Sequence, residues 1–311
     1  MTSLTVRLGL GLANFPLDGS NSFWRWIRLC EESGIDSFWQ TDRLVSREPF
    51  LESMSAMAAV AGATERLKFG MNVTVVTFRD PLVLAKQCAT IDFLSGGRLL
   101  PAFGVGSAVA PEFSATRWPS SGRGARADEA LEVMTRLWAE EQVTYCGKYF
   151  SYTNASISPR PAQAKLPLWI GGSSPAAIRR TARIGTGWLA GIQTPAQVAP
   201  VIEEIAKAAR LLGRSIDADH YGAGFAFRFG SWDDALVDRS ARGLVRFAPK
   251  LDPRDYFAVG DARAILDRIE QYKAAGVSKF VLRPMASDDR DFMDQTRRLI
   301  DEVLPIAQAD A

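Results

Sequence analysis

The 311-residue chain holds one histidine, His220, and three cysteines, Cys30, Cys88 and Cys146, with no CxxC pair. A single imidazole excludes a histidine-based metal centre and a histidine-rich hydrolase, leaving only all-carboxylate metal sites open. Cysteines this far apart read as small buried hydrophobes in a reducing cytoplasm. No apolar run is long enough to cross a bilayer, and the opening MTSLTVRLGLGLANF lacks a basic region and a cleavage site. It reads as a first strand rather than a leader. A charge excess is missing too, since 37 Lys and Arg face 35 Asp and Glu, interspersed along the chain. That removes the electrostatic case for nucleic acid or an anionic membrane as partner. With no linker, low-complexity stretch or composition break, the expectation is one domain over residues 1–311 acting on a small molecule.

What the chain does have is alternation of strand-like and helix-like segments from end to end. Strand patterns cover residues 4–13, 35–42, 67–76, 98–106, 166–172, 187–193, 221–229 and 277–284, with amphipathic helical patterns between them. Eight strands each followed by a helix is the count of an α/β (β/α)₈ TIM barrel, and a doubly wound sheet is the alternative. The closing strand–helix pair favours the barrel. Residues 107–123, a hairpin-like 142–163 and 231–260 exceed connector length. Long loops of this kind are binding loops or lids, and the first and last would emerge at the C-terminal face, where barrel active sites lie.

Side chains alternate in direction along a strand. In the first strand Leu8, Leu10 and Leu12 share one face, and Gly9, Gly11 and Ala13 the other. In the fourth, Phe103 and Val105 oppose Ala102, Gly104 and Gly106. The small residues would line the interior, leaving room that either a planar cofactor or neighbouring bulky side chains must fill. Arg228 shares parity with Gly222, Gly224 and Ala226. It should point inward, where a ligand anion or a carboxylate must meet its charge. His220, at the other end of that strand, reads as a bottom-face residue. Gly171, Gly172, Ser173 and Ser174 lead into Pro175, a strong helix start whose N–H groups suit phosphate, although capping alone explains the serines. Gly96 and Gly97 read as a helix end, so residues 92–106 are not a phosphate loop.

The run FGMNVTVVTFRDPLVLAKQCATIDFLSGGRLLPAFGVG, with IDSFWQTDRL, ALEVMTRLW, PLWIGGSSP and VGDARAILDRIEQYKAAGVSKFVLRP, resembles the luciferase-like flavin-dependent oxidoreductases. The likeness is strongest to their short branch, which uses the deazaflavin coenzyme F420. It implies a (β/α)₈ barrel with FMN or F420 held at the C-terminal face, over a bulge in the third strand that often contains a non-proline cis peptide. Here that bulge falls on Asn72–Val73, with Thr74 following.

Gly11, Asp42, Asn72, Val73, Thr74, Gly104, Gly106, Gly171, Gly172, Ser173 and Ser174 are therefore the cofactor-side candidates. Asp42 matches the family's acidic position near the cofactor, and Arg43 stands where its sugar-phosphate dehydrogenases carry histidine. Their second acid falls near Val109, with Glu112 the nearest carboxylate, so sugar-phosphate dehydrogenation is not supported. Asp42, Arg43 and Arg228 are the catalytic candidates, and Arg47, Glu112, Phe113 and Trp118 those facing substrate. The expected reaction is hydride transfer to or from a small organic substrate, with F420 favoured over FMN. FMN-dependent monooxygenation and a catalytically silent flavin-binding barrel are the alternatives. The resemblance also implies a homodimer, and a separate flavin or F420 reductase as partner.

Overall fold

The computed structural model describes residues 5–309. Leu4, where the first strand pattern begins, and the start of the opening segment lie outside them. Eight parallel strands form a ring. The first is Arg7–Leu12, the second Ser37–Gln40, and the third Lys68–Met71, resuming as Thr74–Val75. The fourth is Leu99–Leu100 with Ala102–Gly104, the fifth Trp169–Gly171 and the sixth Gly187–Leu189. The seventh is Tyr221–Ala223 with Ala226–Phe229, and the eighth Lys279–Pro284. Each pairs with the next, and the eighth returns to the first with Arg7 opposite Lys279. The expected closed α/β barrel is what forms.

Helices start where local chemistry starts them. The Asp80 side chain accepts from Leu82 N at 2.9 Å and Val83 N at 3.1 Å, with Pro81 opening helix Pro81–Leu94. Thr194 and Gln197 form a capping box ahead of Pro195–Leu211. Gly96 and Gly97, at φ 65° and 91°, end the earlier helix as expected. The hairpin in 142–163 is also present, as strands Val143–Cys146 and Ser151–Ala155.

The stretch 231–260 is not a loop. It holds helix Ala235–Phe247, a turn at Pro253–Tyr256 and strand Ala258–Gly260, which pairs with the upper seventh strand. Asp234 caps that helix by accepting from Leu236 N at 3.1 Å, and Val237 and Leu244, seven apart, share its buried face. Residues 107–123 likewise contain a short helix, Pro111–Thr116.

Alternation along the strands holds. Leu8, Leu10 and Leu12 join Trp26 and Ile27 in the layer between strands and helices. A separate inner cluster of Trp39, Ala102, Trp169, Leu189 and Val281 fills the barrel axis. Its two indoles meet edge to face, with ring centroids 6.3 Å apart. Inward glycines admit them. A Cβ on Gly70 would lie 2.7 Å from the Trp39 ring, and one on Gly187 equally close to that of Trp169. The middle of the barrel axis is therefore packed by bulky side chains, which separate the space above them from the space below.

Candidate active site at the C-terminal face

Above the inner cluster lies a cavity of about 440 Å³, lined among others by Ala13, Thr41, Arg43, Asn72, Gly224, Tyr256, Val281 and Arg283. A neighbouring cavity of about 500 Å³ shares Ala13, Ile192, Phe247, Tyr256 and Arg283 with it, and adds Gly11 and Arg239. Both stand at the C-terminal ends of the strands, the position and size of a small-molecule site. Among the described residues, Arg43, Tyr256 and Arg283 are the only ionisable groups lining the first cavity. Arg283 Nη2 donates to Tyr256 Oη at 2.7 Å, and among the described residues the tyrosine hydroxyl donates to none.

The third strand breaks at Asn72–Val73, where the peptide is cis, as the resemblance implies. Asn72 faces the cavity, and Val73 turns into the barrel. A Cβ on Gly104 would lie 2.7 Å from Val73 Cγ2, and one on Gly171 3.0 Å from Val73 Cγ1. These glycines thus make room for the bulge rather than for a ring directly. Gly106, at φ 74°, turns the chain beside Val75 and Phe113. Thr74 lies under the bulge, its hydroxyl 2.9 Å from Ser53 Oγ.

Asp42 is fully engaged. Its carboxylate accepts twice from Arg79 at 2.8 Å, from Ser53 Oγ at 3.0 Å and from Val75 N at 3.0 Å. Burial works against the charge on Arg79, but the hydrogen bonds it donates to Asp42 and Glu52 outweigh it and raise the guanidinium above its ordinary range. Glu52 is pushed up by burial and brought below its ordinary range by hydrogen bonds from Arg79 and Ser55. The expectation of Asp42 as a catalytic acid meets a carboxylate with no free oxygen. It ties the third strand to helix Ser53–Ala63 and so supports the bulge.

Arg43 does reach the cavity. Behind it Glu112 is buried, with Oε1 accepting from Leu44 N at 3.2 Å and Val45 N at 3.4 Å. Glu112 Oε2 makes no hydrogen bond among the described residues and stands 3.7 Å from Arg43 Nη1.

The remaining candidates fall elsewhere. Arg228 lines neither upper cavity, and carboxylates meet its charge: Nε donates to Asp234 at 2.6 Å and Nη1 to Asp291 at 2.8 Å. It clamps the rim and is not free for catalysis. Phe113 packs on Phe78 with centroids 4.8 Å apart, and Trp118 stacks on Phe78 at 6.0 Å. Both support the loop after the fourth strand instead of covering the cavity. Arg47 is exposed. Ser174 Oγ accepts from Ala177 N at 3.2 Å, so capping accounts for it, and Ser173 is exposed beside it. Neither serine lines the cavities. Arg283 was missed in the sequence, although its parity with the inward Val281 could have pointed to it. Tyr256 was missed because its segment carries no strand or helix pattern.

Residues 13–254 match the sequence profile of the luciferase-like monooxygenases, more than half of the chain. The chain belongs to that family. An F420-dependent glucose-6-phosphate dehydrogenase of Microbacterium testaceum is 35% identical over 196 residues, 60% of this chain and 57% of that relative. The enzyme of the same name from Amycolatopsis mediterranei is 27% identical over 312 residues, 90% of this chain and 92% of the relative. The solved monooxygenase RslO1 from Streptomyces bottropensis superposes with a TM-score of 0.84 at 21% identity, covering 97% of this chain and 99% of that one. At that identity the likeness speaks to the fold alone. No helix among the described residues is long and apolar enough to cross a membrane.

Proposed function

We propose that this luciferase-like protein is an F420-dependent oxidoreductase that reduces a small organic acceptor in the upper cavity. One observation carries the reading. The cavity is lined by two arginines, one tyrosine and small or neutral residues, with no carboxylate and no imidazole among the described residues. Such a site binds and protonates, and it depends on a cofactor for redox chemistry. The curated relatives named for F420 favour a deazaflavin.

The lining fits that group. Ala13, Ala190, Gly191 and Gly224 leave flat space, Thr41 and Asn72 offer polar atoms to a heteroaromatic edge, and Arg43 and Arg283 suit anionic groups. When bound, the deazaflavin supplies the hydride. The chain's own residues bind, orient and exclude water. Tyr256, whose oxygen already accepts from Arg283, has its hydroxyl hydrogen left to donate to the acceptor. On this reading the protein works in the cytoplasm as a homodimer, and a separate F420 reductase renews the cofactor.

FMN-dependent monooxygenation is the second reading, favoured by membership of the luciferase-like monooxygenase family. Purified protein given reduced F420 and a panel of acceptors should restore the absorbance of oxidised F420 without taking up oxygen. Oxygen uptake dependent on reduced FMN and substrate would establish the second reading instead.

A further inference from the structure

The barrel has a second cavity at the opposite end of its strands. At the feet of the first, third and eighth strands, Arg7, Lys68 and Lys279 converge on one carboxylate, Asp36. Arg7 Nη1 lies 3.9 Å and Lys68 Nζ 3.6 Å from Asp36 Oδ1, and Lys279, only 3% exposed, donates to Oδ2. One acid facing three cations leaves positive charge unmatched. These cations line a space of about 400 Å³, together with Lys165 and Arg214. The only carboxylates lining it, among the described residues, are Asp217 and Asp219.

Trp169, from the inner cluster, also lines this cavity and is 3% exposed. Its buried indole Nε1–H has no acceptor among the described residues. Indole nitrogen only donates, and a buried donor left unmade costs about 1–3 kcal/mol. A water molecule would satisfy the indole but not the charge. A metal cation would do neither. Oxygen acceptors bearing negative charge answer both.

We propose that the cavity at the N-terminal face binds a small oxyanion, the phosphate or carboxylate group of a metabolite, between Trp169 and the cations of Arg7, Lys68 and Lys165. Trp39, Leu189 and Val281 fill the axis between this cavity and the upper one. The lower site is therefore separate from the proposed cofactor site and stands or falls independently of it.

The test follows the indole N–H resonance of Trp169 in ¹⁵N-labelled full-length protein, assigned by through-bond experiments. Inorganic phosphate and acetate are titrated separately at constant ionic strength, with chloride as the control. A saturable shift at millimolar phosphate or below supports the site and assigns it to phosphate. Saturation with acetate alone assigns it to a carboxylate. The paired variant Lys68→Ala, Lys165→Ala, which removes two partly or fully exposed side chains, should weaken binding at least about tenfold, because two charges near the anion are lost. No Trp169 shift with either anion, a shift that never saturates, or one unchanged in the lysine variant would overturn the proposal.

Discussion

The Arg43 guanidinium stands 3.7 Å from Glu112 Oε2, a buried oxygen that accepts no hydrogen bond among the described residues. The other oxygen of Glu112 holds the backbone of Leu44 and Val45. One carboxylate thus fixes the loop after the second strand and the charge that this loop presents to the cavity. Glu112→Ala should lower stability by about 1–3 kcal/mol, because two N–H groups lose their acceptor. Glu112→Gln should keep the fold, since the amide oxygen can still accept, and weaken F420 binding several-fold. Denaturant melts and F420 titrations separate the two effects.

Asp42 is a support rather than an acid. Asp42→Asn leaves Arg79 buried with one fewer anion and should cost about 3–5 kcal/mol. Protein that still folds should retain turnover within a fewfold of the parent. A stable Asp42→Asn protein without turnover would restore the catalytic role expected from the sequence.

Gly104 and Val73 should behave as a pair. Gly104→Ala brings a methyl within 2.7 Å of Val73 Cγ2 and should destabilise by about 1–3 kcal/mol through overpacking. Adding Val73→Ala should recover part of that loss. A double-mutant cycle by thermal melting measures the coupling, and simple additivity would mean that the bulge is not seated on Gly104.

Tyr256→Phe should leave F420 affinity within about twofold and slow acceptor reduction roughly a hundredfold or more, the range for a lost general acid. Glucose 6-phosphate should not be turned over, because Arg43 stands where the sugar-phosphate dehydrogenases carry histidine and, among the described residues, no carboxylate lines the cavity. Both are read from F420 absorbance, and rapid reduction of F420 by glucose 6-phosphate would contradict this account of the cavity.

Acid should loosen the rim through Asp234. Hydrogen bonds, first from Arg228 and then from Leu236 N, hold its carboxyl below the ordinary carboxylate range. A carboxylate with a depressed pKa stabilises the fold fully above its unfolded value, about 3.9 for aspartate, and loses that contribution as pH falls further. Asp234→Asn keeps an acceptor for the helix cap but removes the charge. It should melt lower than the parent at neutral pH, and the gap should close in acid.

The barrel was legible because period-two alternation records burial directly. Leu8, Leu10 and Leu12 against Gly9 and Gly11 separate the two faces of the first strand without any tertiary information. The bulge at Asn72–Val73 was legible only through resemblance. What fills the space beside a glycine was not, since nothing local says that Val73 enters the gap at Gly104 and Gly171. Charges were hardest to read. Arg228 and Asp42 look available in one dimension, yet Asp291 lies 63 positions from Arg228 and Arg79 lies 37 from Asp42, and these distant partners consume them. Tyr256 sits on a four-residue turn, Pro253–Tyr256, too short to carry a periodic signal.

The central claim is that the cavity bounded by Arg43, Asn72, Tyr256 and Arg283 holds the deazaflavin. A crystal of the protein soaked with F420 tests it most directly. Density for the deazaflavin ring is expected over the Asn72–Val73 bulge, with Arg283 and Tyr256 at its open side. A saturating soak that leaves this cavity empty, or that places the ring elsewhere on the barrel, would contradict it.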